Sequence, residues 1–189
     1  MQTPSRVLLF SGSWDKTIRV WDANVRKIVA SFTTTPWLTW QTGDLLKILL
    51  AHTDFLKSLL ILPGGYLLST SSDRSIKLWE IISAGDSVDA RCVQTIREHT
   101  RPVDKSTSSI ENDRTMVWTA DSMGTIKQWS FADGQLQAVR DLPGHETSVT
   151  DLVHTADGLW SGKPSEQSGL IPQCPWTEMR SSTRIRIPP

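Results

Sequence analysis

Ser69-Thr70-Ser71-Ser72-Asp73-Arg74-Ser75-Ile76-Lys77-Leu78-Trp79 decides how this chain is read. Small hydroxyl residues end the apolar run Tyr66-Leu67-Leu68, a polar turn centred on Asp73-Arg74 follows, and Ile76 and Leu78 then alternate with Lys77 before an indole closes the stretch. A period of two marks a strand with a covered face, and a tight polar turn between two such runs marks a β-hairpin. The ending recurs without gaps as KTIRVWD (16–22), RSIKLWE (74–80) and GTIKQWS (124–130), preceded by LLFSGS, YLLSTSS and TMVWTADS. Hairpins are therefore expected at about 7–22, 66–80 and 115–130. Such self-similarity is the signature of a repeat architecture.

A second signal lies upstream of the hairpins, as Ala51-His52, Glu98-His99 and Gly144-His145, with His52 27 residues before Trp79 and His99 30 before Trp129. Nine Trp against one Tyr and four Phe point the same way, because an indole is costly to bury unless its N–H finds an acceptor. Together these residues resemble the WD40 repeat, whose members form β-propellers. The resemblance implies an all-β, incomplete and open propeller of four-stranded antiparallel blades, about three to three and a half repeats long. It also implies a structural tetrad in which His, Ser or Thr, Asp and Trp of one repeat are hydrogen bonded.

Mapped onto this sequence, the complete set is His52, Ser69, Asp73 and Trp79. The first unit keeps Ser11, Asp15 and Trp21, and its His would fall before Met1. The third keeps His99, Thr119 and Trp129, but Met123 stands where the Asp belongs and Asp121 is displaced by two residues, so an incomplete network is expected there. A fourth unit starts with His145 and spans 144–162, and no later Trp follows the pattern.

Two stretches interrupt the repeat. Removing Val25 to Gln41 joins Trp21-Asp22-Ala23-Asn24 to Thr42-Gly43-Asp44-Leu45-Leu46 and restores a phrase typical of the family. Either an unspliced intron, since Val25-Arg26-Lys27 can be encoded by GTACGTAAG, or a loop insertion between strands accounts for it. Residues 163–189 carry five prolines and no strand period, so they are expected to be a non-propeller, disordered tail beyond a propeller part at 1–162.

Lys plus Arg and Asp plus Glu both number 20, leaving no net charge to steer the chain to nucleic acid or membrane. No phosphate-cradling glycine motif occurs, and Cys92 and Cys174 lack zinc-ligand spacing, so no cofactor and no metal are expected. Two distant cysteines and a short apolar N-terminal run suit an intracellular chain, cytoplasmic or nuclear. Ser69, His52 and Asp73 imitate a catalytic triad, yet the resemblance makes them internal bracing, and an enzyme is not expected. It implies instead a scaffold or adaptor for other proteins, with Phe55, Arg74 and Arg101 beside the tetrads as candidate binding residues. The alternatives are a truncated or mis-spliced piece of a larger propeller protein, or the targeting subunit of an enzyme complex. Open blade edges would also allow self-association.

Overall fold

A computed structural model describes residues 7–30, 38–84, 87–111, 114–142, 145–155, 158–162 and 182–185. Each KTIRVW-like segment lies beside the hydroxyl-rich run before it in one shared register: Leu9 faces Trp21, Leu67 faces Trp79 and Val117 faces Trp129. Around these hairpins four antiparallel sheets form, each following the order of the chain. The first holds β1 (Leu8–Gly12), β2 (Thr17–Ala30) and β3 (Leu38–Leu50); the second β4 (Leu56–Leu62), β5 (Tyr66–Ser71), β6 (Ile76–Ala84) and β7 (Ser87–Ile96). The third holds β8 (Val103–Glu111), β9 (Arg114–Asp121), β10 (Ile126–Ala132) and β11 (Gln135–Leu142); the fourth β12 (Asp151–Thr155), β13 (Gly158–Gly162) and β14 (Ser182–Ile185). No helix occurs among the described residues, and the sheets do not close on one another, as expected of an open propeller.

A register shift precedes each tryptophan where its strand meets the next one outward, at Val20/Trp21, Leu78/Trp79 and Gln128/Trp129. An extra residue there twists the strand and re-aims the side chain that follows, so the bulge is part of how each indole is seated.

Three apolar clusters fill the spaces between consecutive sheets. Ile18 and Leu49 of the first sheet meet Leu56, Leu67 and Trp79 of the second; Leu68, Ile76 and Leu78 meet Val103, Val117 and Trp129 of the third; Trp118 and Ile126 meet Val149, Leu152 and Leu159 around the fourth. The middle sheets are thus covered on both faces. That is why β5 is buried almost throughout rather than at every second residue. Polar ties cross the same spaces: Ser58 and Ser106 hydroxyls lie 2.8 Å apart, and the Gln94 amide both donates to Leu136 O and accepts from Leu136 N.

The outer face of the first sheet lacks this cover. Leu9 is 57% exposed where Leu67, at the matching place in the second sheet, is 1% exposed, and Ile48 and Leu50 extend the same open face. Val153 is likewise exposed on the far side of the fourth sheet.

Both interruptions take part in strands. The pairing of β2 with β3 passes from Asp22↔Asp44 through a bulge to Arg26↔Thr42 and on to Ala30↔Leu38, so residues 25–30 and 38–41 lengthen an existing hairpin from its end. Seamless removal of 25–41 from the sequence follows from that placement, since the Asp22↔Asp44 pair already closes the strands. The stretch expected to carry no strand contains β14, which pairs Ser182 with Gly162 and Ile185 with Leu159. Its β-branched Thr183 and Ile185 suit a strand, and pairing satisfies backbone groups of β13 that would otherwise be left at an edge. The rest of 163–189 lies outside the described residues.

Gly124 has φ +89°, and a Cβ built there would overlap the carbonyl oxygen of His145, at the point where the third sheet leads into the fourth. Gly65, with φ +81°, meets nothing closer than 3.7 Å. In chemical denaturation Gly65→Ala should lose about 1 kcal/mol, from left-handed backbone strain alone. Gly124→Ala should lose clearly more, because strain is joined by displacement of backbone.

Candidate functional site

The second sheet assembles its four polar residues into one relay. Trp79 Nε1–H donates to Ser69 Oγ at 2.9 Å, Ser69 Oγ lies 2.8 Å from His52 Nε2, and His52 Nδ1 lies 3.0 Å from Asp73 Oδ2. A carboxylate only accepts, so Nδ1 carries the proton and Nε2 accepts from the Ser69 hydroxyl, a tautomer assigned from this network. Asp73 is in turn held by the Thr53 amide, the Ser75 amide and the Ser75 hydroxyl, and the Thr53 hydroxyl reaches it at 3.3 Å. The link before β4, the turn after β5 and the strand β6 are therefore joined by one chain of hydrogen bonds. Ser69 has no exposed surface, and its oxygen already accepts from an indole, so the triad-like geometry offers no approach to a substrate.

The third sheet corrects the expectation of an incomplete network. Trp129 donates to Thr119 Oγ1 at 2.9 Å, Thr119 lies 2.8 Å from His99 Nε2, and His99 Nδ1 is 3.1 Å from Asp121 Oδ2. Asp121 occupies the turn position held by Ser71 in the second sheet. Its Oδ1 accepts the amides of Met123 and Thr125, work that Ser71 Oγ and Asp73 Oδ1 share in the second sheet. A carboxylate two residues early, within reach of both amides and the imidazole, replaces two residues, and Met123 is free to face solvent.

In the first sheet Trp21 donates to Ser11 at 2.9 Å, and Asp15 turns to Thr17 and Arg19. The fourth keeps one link, His145 Nε2 to Ser161 Oγ at 2.7 Å.

Burial pulls the pKa of His52 below its ordinary value against the opposing pull of Asp73, and does the same to His99 against Asp121. Burial alone would raise Asp73, but hydrogen bonds from Ser75 and Thr53 and the neighbouring His52 hold its carboxyl far below the usual carboxylate range. Neutral imidazoles above fixed carboxylates are what the relay needs, since a protonated Nε2 has no lone pair for the hydroxyl.

A cleft of about 510 Å³ opens beside the second relay, lined by Thr53, Asp54, Ser72, Asp73, Arg74, Arg97 and His99. The structure brings Arg74 to its wall and Phe55 to the adjoining surface, where Phe55 stacks on Trp14 with ring centroids 5.5 Å apart. Arg101 is exposed but does not line the cleft. Sequence reasoning missed Trp14 and Arg97, and noted Asp121 as displaced without expecting it to complete the network. A large indole inside a hairpin turn, and a carboxylate two residues before a vacant Asp position, were the signals available for Trp14 and Asp121; an isolated Arg before Glu98-His99 carried none. Among the described residues no three His, Cys, Asp or Glu side chains gather as a metal site, and no helix is long and apolar enough to cross a membrane.

Repeated four-stranded sheets braced by a Trp-hydroxyl-His-Asp relay define a WD40 protein, and the comparisons agree. The family model of the WD domain, G-beta repeat, matches residues 3–22 and 43–80, passing over the lengthened hairpin. The chain is a partial WD40-repeat array. It is 27% identical over 159 residues to an uncharacterized WD repeat-containing protein of Schizosaccharomyces pombe, covering 81% of this chain and 37% of that protein. It is 35% identical over 97 residues to the nuclear distribution protein PAC1 of Tuber melanosporum, covering 51% of this chain and 16% of that protein. The chain thus spans well under half the length of these curated relatives. Among solved structures, the computationally designed Ika4 protein superposes with a TM-score of 0.59 at 26% identity, over 82% of this chain and 78% of that one.

Asp73→Ala and Asp121→Ala should each lower unfolding free energy by about 1–3 kcal/mol, the cost of stranding buried polar partners. Met123→Ala should stay within about 0.5 kcal/mol, as an exposed side chain does. Urea titration of the three variants checks both. Because the folded pKa of His52 and His99 is depressed, their contribution to stability is complete above the unfolded value near 6.5 and is lost as pH falls below it. Thermal midpoints should therefore decline from about pH 7 downward, and nuclear magnetic resonance should find both imidazoles titrating below 6.5.

Proposed function

We propose that this chain is a non-catalytic adaptor that binds other proteins through the end of the array where the hairpin turns and inter-sheet links emerge. The observation that carries this reading is the solvent-facing cluster of Trp14, Phe55 and Arg74 around the cleft, beside a Ser-His-Asp set that is buried and internally spent. WD40 repeats are generally a scaffold rather than a catalyst, which supports the same role. Arg101 belongs to this end as well, and extends the face over the third sheet.

Exposed apolar side chains on the end sheets favour a second, compatible reading, in which the array acts as part of a larger ring. Leu9 matches Leu67 and Val117, which the inner sheets use for packing, and Ile48 and Leu50 lie on the same open face, so a further blade is the cover Leu9 fits.

The adaptor reading is tested by affinity capture with the wild-type chain and with Phe55→Ala, Arg74→Ala and Arg101→Ala, all at exposed positions that should leave the thermal midpoint unchanged. Loss of the captured protein in the Phe55 and Arg74 variants is the expected result. Capture that is indifferent to all three would remove this face from consideration.

A further inference from the structure

The turn end of the array holds two kinds of unused recognition chemistry side by side. Trp14, at the tip of the β1–β2 hairpin, is 74% exposed, and its ring stacks on Phe55, itself 43% exposed, with 23° between the planes. Stacking fixes both rings while leaving their outer surfaces wet. A rigid aromatic pair of this kind anchors a ligand with little further loss of side-chain freedom.

The second kind is charge. Arg74 and Arg97 line the same cleft, both are exposed, and neither guanidinium has an ion-pair or hydrogen-bond partner among the described residues. Elsewhere Arg19, Arg91 and Lys127 each have a carboxylate. The two acids in the cleft are already engaged: both oxygens of Asp73 are held by His52, Thr53 and Ser75, and Asp54 Oδ1 accepts the Phe55 amide. What remains for a ligand is therefore a set of guanidinium donors. Arg74 is also fixed at its base, with φ +66° and its amide bonded to Ser71 O, so the turn need not rearrange when the side chain is used.

Deepening the adaptor reading on which it rests, we infer that this cleft receives a carboxylate side chain of an extended peptide, whose neighbouring bulky apolar residue lies on the Trp14–Phe55 pair. The carboxylates of Asp54 and Asp73 in the same cleft oppose the second charge of a dianion. A single carboxylate matches it better than a phosphoryl group, and a fork of N–H donors suits carboxylate geometry.

The test is selection of a displayed random ten-residue peptide library on the immobilised full chain, followed by fluorescence anisotropy of the consensus peptide. Enriched peptides should carry Asp or Glu at one fixed position and Phe, Leu or Trp close by. Replacing the acid by its amide should weaken binding by about tenfold or more, the usual scale for a charge-assisted hydrogen bond. Arg74→Gln and Arg97→Gln should each abolish the preference for acid over amide. Trp14→Ala should weaken acid and amide peptides alike, and Arg114→Gln, at the opposite end of its sheet, should change nothing. No enrichment, enrichment without an acidic position, or a phosphoserine peptide binding tenfold tighter than its Glu counterpart would overturn the inference. If capture of a protein partner still depends on Phe55 and Arg74 while acid and amide bind equally, the acidic ligand is wrong and the adaptor reading stands. If capture is indifferent to both residues, the adaptor reading itself falls.

Discussion

A neutral imidazole accepting a hydrogen bond from a buried hydroxyl is the contact on which the rest of this molecule depends. His52 and His99 each join three segments distant in sequence: the link that precedes a sheet, the turn after its second strand and the indole of its third. The indole only donates and the carboxylate only accepts, while the hydroxyl and the imidazole between them each accept from one neighbour and donate to the next, so the relay runs in a single direction and fails as a unit. Ser69 and Thr119 have no exposed surface, and water cannot stand in for a lost partner. The imidazole must stay uncharged for the chain to hold. Burial secures this against carboxylates whose charge favours the protonated imidazole.

How much of this was legible in the sequence follows from which interactions are local. Ser69, Asp73 and Trp79 lie within one hairpin at fixed offsets, so the hairpin and its polar set could be read directly, and His52 followed from the repeated interval. Asp121 could not be placed by offsets alone, because a carboxylate reaches over several positions and a turn can accept it from either. Only the angle of the turn decides that Asp121 serves the imidazole and two amides together. The bulges before Trp21, Trp79 and Trp129 leave no mark in composition, since they arise between strands. The strand Ser182–Ile185 was hidden by the proline-rich stretch before it, and its pairing is a long-range choice made by β13.

Stacking sheets on both faces explains why the repeat uses Ser and Thr where a two-layer protein would use Val or Leu. A strand covered on both sides must bury its hydroxyls, and each of these sheets turns that burden into the relay. The same stacking gives the array an open end. Inner sheets present one face forward and one back, so the first and fourth sheets each retain a face for which the chain supplies no neighbour among the described residues. Leu9 and Leu67 occupy one structural position with opposite exposure, and the difference is neighbourhood rather than sequence.

Bracing and the proposed recognition thus fall on opposite sides of the same few residues. Asp73 faces inward to His52, while Arg74, next in the chain, faces the cleft; His52 is buried, while Phe55, three residues on, lies at the surface. Because the relay fixes the backbone on both flanks, the outward side chains contribute little to holding the fold and are free to vary in chemistry. The third sheet shows this freedom directly: once Asp121 takes over the inward work, the position that holds Asp in the second sheet carries an exposed Met123. A surface built this way changes its outward chemistry without changing its frame, which is what the proposed adaptor role requires.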